Sequence, residues 1–347
     1  MTIYLGIFLP ILILILMLKL WYKKGRDAKG RETIVPEYEP PKGLSPSLVG
    51  TLIDEKVDIK DITSCLIDLA VRGYIKIIEK EKKKFLGKER TYTFQKLKSF
   101  DDLAKHEKKI ADDVFEGRNE ISTKDLTNKF YKKIAEIKKV LFERVTDLEF
   151  FTQNPQKVKQ RFVLLGTGII VLGSLLLAFG PRIISSGTLG MGIAISGVVI
   201  IVFAKFMPKK TKKGTLAKEK CLGFKEYLHR AERFRLAECT PRTFERFLSY
   251  AIVFGIEKAW ANRFADIYHE APDWYVPAGV YWGTGAISAG DIGKAADFSA
   301  TTLSQNLSSM VKDVSSVFSS SPSGGASGFG GGGAAGGGAG GGGGGAG

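Results

Sequence analysis

The sequence FVLLGTGIIVLGSLLLAFG-PRIISSGT-LGMGIAISGVVIIVFAKF, residues 162–206, consists of two apolar runs joined by a short connector. Each run, Phe162 to Gly180 and Leu189 to Phe206, approaches the ~20 residues that a helix needs to cross ~30 Å of hydrocarbon. A third run of this kind, Ile3 to Leu20, lies near the N-terminus, and no other long stretch is nearly free of charge. The sequence therefore predicts a multi-pass α-helical membrane protein with an anchor at 1–21 and a transmembrane hairpin at 162–206.

Basic residues beside these runs predict their orientation. The three clusters are Lys19, Lys23, Lys24, Arg26, Lys29 and Arg31; Lys157, Lys159 and Arg161; and Lys205, Lys209, Lys210, Lys212 and Lys213. The connector between the second and third runs has only Arg182. Because cytoplasmic loops carry an excess of Lys and Arg, the N-terminus is expected outside the cell membrane. Residues 22–160 and 207–347, including the C-terminus, are then expected in the cytoplasm.

Two alternatives to membrane spans fit less well. A cleaved signal peptide would have a basic region before Ile3 and a small-residue cleavage site after Leu20, and neither is present. A buried hairpin of a soluble core would explain the apolar runs but not the lysines at both ends. Small residues at the Gly192-xxx-Ser196 spacing are typical of closely packed membrane helices. Apart from Lys205 at the end of the second hairpin run, no ionisable residue lies within the hairpin runs, which argues against an ion or proton pathway.

Composition is consistent with a membrane-bound basic protein. The net charge of +15 and pI near 9.5 suit a surface that faces anionic lipid. The same charge would suit nucleic acid, so charge alone does not decide between them. The three cysteines, Cys65, Cys221 and Cys239, show no paired spacing, and a disulfide framework is not expected.

A linker at 22–43 leads into a predicted cytoplasmic α/β domain at 44–151. Ser45 and Pro46 are typical of the cap and first residue of a helix, which would run to Asp54. A second short helix is expected from Asp58, and a third carries an apolar stripe from Ile62 that ends at the helix-stopping Gly73.

Two alternating segments after the third helix predict a β-hairpin. Tyr74 to Glu79 would form one strand, Glu81 to Glu89 a charged turn and Arg90 to Phe94 the returning strand. Three short helices followed by a hairpin predict a winged-helix-like domain.

Basic residues of the predicted wing are candidate contacts for anionic lipid or phosphate: Lys82, Lys83, Lys84, Lys88 and Arg90. They could equally be a solvated face without a ligand. The third helix offers four residues outside its apolar stripe: Asp61, Ser64, Asp68 and Arg72. Two carboxylates there would oppose a phosphate backbone, so DNA binding through this helix is disfavoured.

The remaining segments are predicted to be helical until the chain becomes low in complexity. Helices are expected from Asp102 to Phe115 and from Lys124 to about Phe150, separated by a short extended break. A helical cytoplasmic segment should occupy 214–276. The glycine-rich, Ser- and Ala-containing tail at 277–347 is expected to be mostly disordered. Within it, one weak amphipathic helix is indicated by Leu303, Leu307, Met310, Val314 and Val317.

Several motifs in this order resemble one known family. They include Leu44-Ser-Pro46, Asp58-Ile-Lys-Asp-Ile-Thr63 and Leu66-Ile-Asp-Leu-Ala-Val-Arg-Gly-Tyr-Ile75, then Gly223-Phe-Lys-Glu-Tyr-Leu228, Phe244-Glu-Arg-Phe-Leu248 and Trp274-Tyr275. The chain is similar to the cytoplasmic part of the predicted prokaryotic membrane proteins grouped as domain of unknown function 2207. By this resemblance an exported β-rich domain would precede the first span, and that domain is expected to be missing here. The resemblance implies location and architecture but no activity.

Residue patterns for catalysis, metals or cofactors are not found. The histidines, His106, His229 and His269, form no HExxH, and no cysteines have metal-ligand spacing. The sequence also has no phosphate-binding GxxxxGK[ST] motif and no GxSxG nucleophile motif. We therefore expect neither an enzyme nor a cofactor, and no small-molecule substrate is identified. Two functions stay open: a membrane-tethered adaptor for unidentified protein partners, and a membrane-anchored DNA-binding regulator.

Overall fold

The computed structural model describes residues 2–84, 87–179, 187–230, 240–264, 268, 271–278 and 299–322. Its described helices are α1 Thr2–Leu20, α2 Pro46–Asp54, α3 Ile59–Val71, α4 Lys105–Phe115, α5 Thr123–Leu126, α6 Tyr131–Asp147, α7 Pro155–Phe179, α8 Gly187–Ala204, α9 Lys212–Arg230, α10 Pro241–Phe254, α11 Glu257–Asn262 and α12 Ala300–Ser319. Its described strands are β1 Ile75–Lys84, β2 Gly87–Lys96, β3 Glu120–Ser122 and β4 Tyr275–Val276. The fold is thus mostly helical with one small mixed sheet, and the glycine-rich tail from residue 323 lies outside the described residues.

Among the described residues, three helices are long and apolar enough to cross a membrane: Tyr4–Gly25, which extends α1 by a π-helical turn, then α7 and α8. Their positions agree with the three predicted spans. Gly6 contacts Gly192 near the starts of α1 and α8, and Gly25 contacts Met207 beyond their ends, so these two helices run parallel. A Cβ atom at Gly192 would lie 2.1 Å from the carbonyl oxygen of Gly6, which only glycine permits. Small residues therefore set how closely the spans pack.

Helices α2 and α3 replace the three short helices that the sequence predicted before the hairpin. Asp58 and Asp61 form a reciprocal capping box at the start of α3, and the helix then continues unbroken to Val71. The expected separate second and third helices are therefore one helix. The prediction was wrong because Asp58 is the cap of the long helix rather than the start of a short one.

The sheet has the strand order β3-β2-β1-β4. Strands β1 and β2 form the predicted antiparallel hairpin, but both extend into the segment predicted as a charged turn. Their register places Glu81 opposite Arg90, so opposite charges pair across strands that lack an apolar pattern there. Strand β3 pairs with β2, and β4 adds in parallel to β1 with Tyr275 opposite Ile77. The predicted extended break thus contains one edge strand, β3, and the Trp274-Tyr275 motif leads into the other, β4.

Two predicted long helices are interrupted. The helix expected from Lys124 to Phe150 divides into α5 and α6, because Asn128 adopts a left-handed backbone with φ of 59°. Within the helical segment expected at 214–276, the helix that begins at Pro241 ends at Phe254, where Gly255 has φ of 70° and caps it. Left-handed residues at these positions terminate helices whose apolar periodicity runs on through the break.

Helix α12 belongs to the core. It buries six apolar side chains: Ala300, Leu303, Leu307, Met310, Val314 and Phe318. The ring centroids of Phe318 and Phe130 lie 3.8 Å apart, which joins α12 to the start of α6. The sequence predicted this amphipathic helix but not its packing against the core. Residues 300–319 form a packed helix within a segment that was expected to be mostly disordered. Val317, predicted for the buried stripe, is only partly buried.

Candidate functional site

The predicted wing is formed by the outer part of the β1–β2 hairpin. Nε of Arg90 lies 3.5 Å from a carboxylate oxygen of Glu79 and 3.9 Å from one of Glu81. Glu79 is buried and also accepts a hydrogen bond from the hydroxyl of Tyr275. Arg90 is therefore already paired with carboxylates, and a phosphate would compete with them. The backbone of Lys82, Lys83, Lys84 and Lys88 lies in the paired strands near the tip, and the lipid or phosphate contact of these lysines stays a prediction.

The face of α3 that was expected to be exposed is largely covered. Asp61 and Ser64 are completely buried, and the side chain of Asp68 is only 13% exposed. Helix α2 contacts Asp61 directly, since a Cβ atom added to Gly50 would lie 2.1 Å from its Oδ1. Helices α10 and α12 also pack on α3. The expectation of a solvent-facing row was wrong for Asp61, Ser64 and Asp68, because elements distant in sequence cover them, whereas Arg72 is exposed.

Burial changes the protonation of two groups in this region. Burial raises the pKa of Asp61 to about 8, which keeps this carboxyl protonated at neutral pH. Its Oδ2 accepts the backbone N–H of Asp58 at 2.9 Å. Burial lowers the pKa of His106 to about 4, so its ring is neutral. Nε2 of His106 lies 2.8 Å from the hydroxyl of Ser45, the cap residue of α2. This hydrogen bond joins α4 to the start of α2 and gives His106 a structural role.

Arg72, the residue after the end of α3, connects the buried carboxylates of this region to the protein surface. Arg72 donates hydrogen bonds of 3.0 Å to both Asp68 and Glu107, joining α3 to α4. The guanidinium of Arg72 also lies 5.2 Å from the ring centroid of Tyr74. The hydroxyl of Tyr74 donates to Asp102 at 2.6 Å. Tyr74 is thus held in a fixed, half-exposed position beside the end of α3.

A groove of about 1070 Å³ lies at this end of α3. Its lining combines Val71, Tyr74 and Leu97 with the start of α10 and the segment Ala271–Trp274. Leu97 is 51% exposed and presents an apolar side chain to the groove. The polar edge of the groove includes three side chains of α10: Arg242, Glu245 and Arg246.

Glu245 orders one wall of this groove. Its carboxylate accepts a hydrogen bond of 2.7 Å from the indole nitrogen of Trp274 and one of 2.9 Å from the hydroxyl of Tyr268. Trp274 is 5% exposed, and its hydrogen bond to Glu245 holds it against α10, from which it is distant in sequence. The groove is therefore built from ordered side chains of four segments, with apolar groups exposed between charged ones.

A second cluster joins the spans to the extramembrane domain. Lys210, which follows α8, is completely buried, and its Nζ contacts Glu55 at the end of α2 and lies 3.5 Å from Asp27, which follows α1. The backbone N–H of Lys210 donates to Asp27 at 2.7 Å, and its Nζ lies 5.2 Å from the ring centroid of Phe151. One cation thereby links four segments that meet where the spans end.

Sequence reasoning missed the groove and the buried lysine for different reasons. Lys210 is one of four lysines between 209 and 213, and no pattern distinguishes the buried one. Trp274 and Tyr275 were noticed only as a motif, without a place in the fold. Among the described residues, no group of three or more His, Cys, Asp or Glu side chains is arranged to hold a metal ion.

Comparison with known proteins places this architecture in a family. The family model described as the C-terminal domain of a predicted membrane protein, DUF2207, matches residues 34–264. No curated protein and no solved structure matches the chain. The matched stretch includes α2 to α11 and both helices of the hairpin, which is more than half of the chain. The chain therefore belongs to the DUF2207 family of predicted membrane proteins.

Proposed function

We propose that the protein is a membrane-tethered adaptor that binds a protein partner through the groove at the end of α3. In this proposal it is not an enzyme, its N-terminus lies outside the cell and its extramembrane domain lies in the cytoplasm. The winged-helix-like unit, formed by α2, α3 and the hairpin, serves as the scaffold for the groove. The observation that carries the proposal is the exposed side chain of Leu97 beside the half-buried Val71 and Tyr74 in the groove.

The arrangement of the spans supports the proposed orientation. Because α1 and α8 run parallel, the basic residues after each of them lie on the same side as those that precede α7. All three lysine-rich clusters thus meet at one membrane face, as the distribution of Lys and Arg in cytoplasmic loops requires. The opposite orientation would export all three clusters together.

The chemistry of the groove supports a protein ligand. Protein-binding surfaces combine exposed apolar groups with a charged or polar rim, and large exposed apolar side chains outside such surfaces are rarely grouped. Leu97 and Tyr74 provide the apolar contact, while Arg242 and Asp273 lie at the charged edge. Because Trp274 and Tyr74 are already held by hydrogen bonds, a partner would not have to order them.

DNA recognition by the winged-helix-like unit has less support. A recognition helix must insert its side chains into the major groove of DNA. Asp61 and Ser64 of α3 are buried, and α10 and α12 occupy much of the surface around the helix. Opening that surface would separate packed core residues. The tip lysines of the hairpin remain candidates for contact with anionic lipid, independent of α3.

The test is co-purification from cells, followed by quantitative mass spectrometry of the bound proteins. Leu97→Glu places a charge in the groove, and a partner enriched with the unchanged protein should be lost. Ile34→Glu is the matched control, since Ile34 is 54% exposed in the linker and outside the groove. Equal enrichment of every protein with both variants would refute the groove as the docking site.

A further inference from the structure

A pocket of about 400 Å³ lies where the spans meet the extramembrane domain. One wall comes from the ends of the first and third spans, with Trp21, Gly25, Lys205 and Phe206. Another comes from residues 54–56, at the end of α2, and from Lys159 of α7. The pocket is distinct from the groove at the far end of α3, with which it shares no residue.

The carboxylates around this pocket already have cations. Glu55 and Asp27 share the buried Lys210. Asp54 lies 3.3 Å from Nζ of Lys60. Each of the three carboxylates is therefore paired, and two lysines that do not themselves line the pocket offset most of their charge.

The cations of the lining, in contrast, are in excess. Within the part of the chain that the structure describes, no carboxylate lies within 4 Å of Arg26, Lys56 or Lys205, and all three are exposed. Lys159 donates to the backbone carbonyl of Glu55 at 2.6 Å, which leaves its positive charge without a carboxylate partner. Four cationic side chains thus surround one concave space whose anions are already paired.

The location of the pocket identifies the kind of anion. Trp21 and Phe206 belong to the ends of spanning helices, where aromatic side chains lie at the level of lipid headgroups. Basic pockets between spans on the cytoplasmic side of a membrane, the side proposed above for the lysine clusters, suit phosphate-bearing headgroups. We propose that this pocket binds the phosphate of an anionic phospholipid, with Lys56 and Lys205 contributing from the domain and the third span respectively.

The proposal can be tested with the full-length protein in nanodiscs of zwitterionic phosphatidylcholine doped with phosphatidylglycerol. Native mass spectrometry of the protein released from the discs measures how much phosphatidylglycerol is retained. The test variant is Lys56→Gln with Lys205→Gln. The matched control is Lys129→Gln with Lys139→Gln, which removes the same charge at two exposed positions outside the pocket.

Each lysine near an anionic surface contributes about a fivefold effect on affinity, so the pocket variant, which lacks two, should bind phosphatidylglycerol roughly 25-fold more weakly. The control should retain the lipid as the unchanged protein does. Added inorganic phosphate at millimolar concentration should not displace the lipid, whereas displacement would assign the pocket to a free phosphate. Equal retention by both variants, or equal retention of phosphatidylcholine and phosphatidylglycerol, would overturn the proposal.

Discussion

Replacing Lys210 with methionine should destabilise the protein more than any other single lysine substitution near the membrane. The side chain of Lys210 is completely buried, and that of Glu55 beside it is only 20% exposed. Removing one partner of a buried ion pair costs about 3–5 kcal/mol, because the other charge stays buried without compensation. Asp27 is 37% exposed and can recover water, so the lower end of this range, about 3 kcal/mol, applies.

The assay is thermal unfolding of the detergent-solubilised protein, followed by the fluorescence of buried Trp260 and Trp274. For a domain of 150–250 residues, 1 kcal/mol shifts the Tm by about 2–4 °C, so Lys210→Met should lower the apparent Tm of the extramembrane domain by roughly 6–12 °C. Lys209→Met removes an adjacent lysine that has no carboxylate partner among the described residues, and should change the Tm by about 1 °C or less. Adding Glu55→Gln to Lys210→Met should recover part of the loss, since the uncompensated charge is then removed. Equal Tm values for the two single variants would refute the linking role of Lys210.

Three further predictions concern other parts of the chain. Burial raises the pKa of Asp61 to about 8 from 3.8, so the folded state holds a proton that the unfolded state releases, and stability should fall as pH rises through this range. His106, whose folded pKa is about 4, has the opposite effect on stability, but only below pH 6.5. Asp61→Asn should therefore flatten the loss of stability that denaturation measures between pH 6.5 and 8. An unchanged slope would contradict the buried, protonated carboxyl. Gly192→Ala should lower the Tm of the solubilised protein because its Cβ would collide with Gly6, whereas Gly168→Ala, with no neighbour within 4 Å, should not; similar Tm values would contradict the close approach of α1 and α8. A cysteine replacing Ser186 should react with a membrane-impermeant maleimide in intact cells, whereas replacements of Ser99 or Ser288 should react only after permeabilisation; labelling at position 99 from outside would reverse the proposed orientation.

The apolar runs and their periodicity made much of the fold predictable. Membrane spans, α2 and the β-hairpin are local features, because each is determined by the residues of its own segment. Errors in helix boundaries arose at Asn128, whose left-handed backbone ends a helix, and at Asp58, which could be read as the start of a short helix or as the cap of a long one. Helix α12 was visible as a pattern, but its packing depends on partners that precede it by more than 150 residues, such as Phe130.

The candidate sites were much less predictable than the fold. The groove forms from segments near residues 72, 97, 242 and 274, and no local spacing relates them. Burial of Asp61 likewise depends on Gly50 of another helix rather than on its own position in α3. Lys210 has the same chemistry as its neighbours, and only the contacts with Glu55 and Asp27 distinguish it. Charge and composition predicted where the membrane lies, but not which charged groups are buried.

The most direct test of the adaptor proposal is site-specific photo-crosslinking in living cells. A photo-reactive phenylalanine analogue replaces Arg242, which is exposed at the edge of the groove, or Lys139, which is exposed on α6 as the control. The proposal predicts a crosslinked cytoplasmic protein from position 242 that is absent from position 139 and disappears when Leu97→Glu is added. Crosslinks only to lipid, or to a protein outside the cell, or crosslinks that are unaffected by Leu97→Glu, would contradict it.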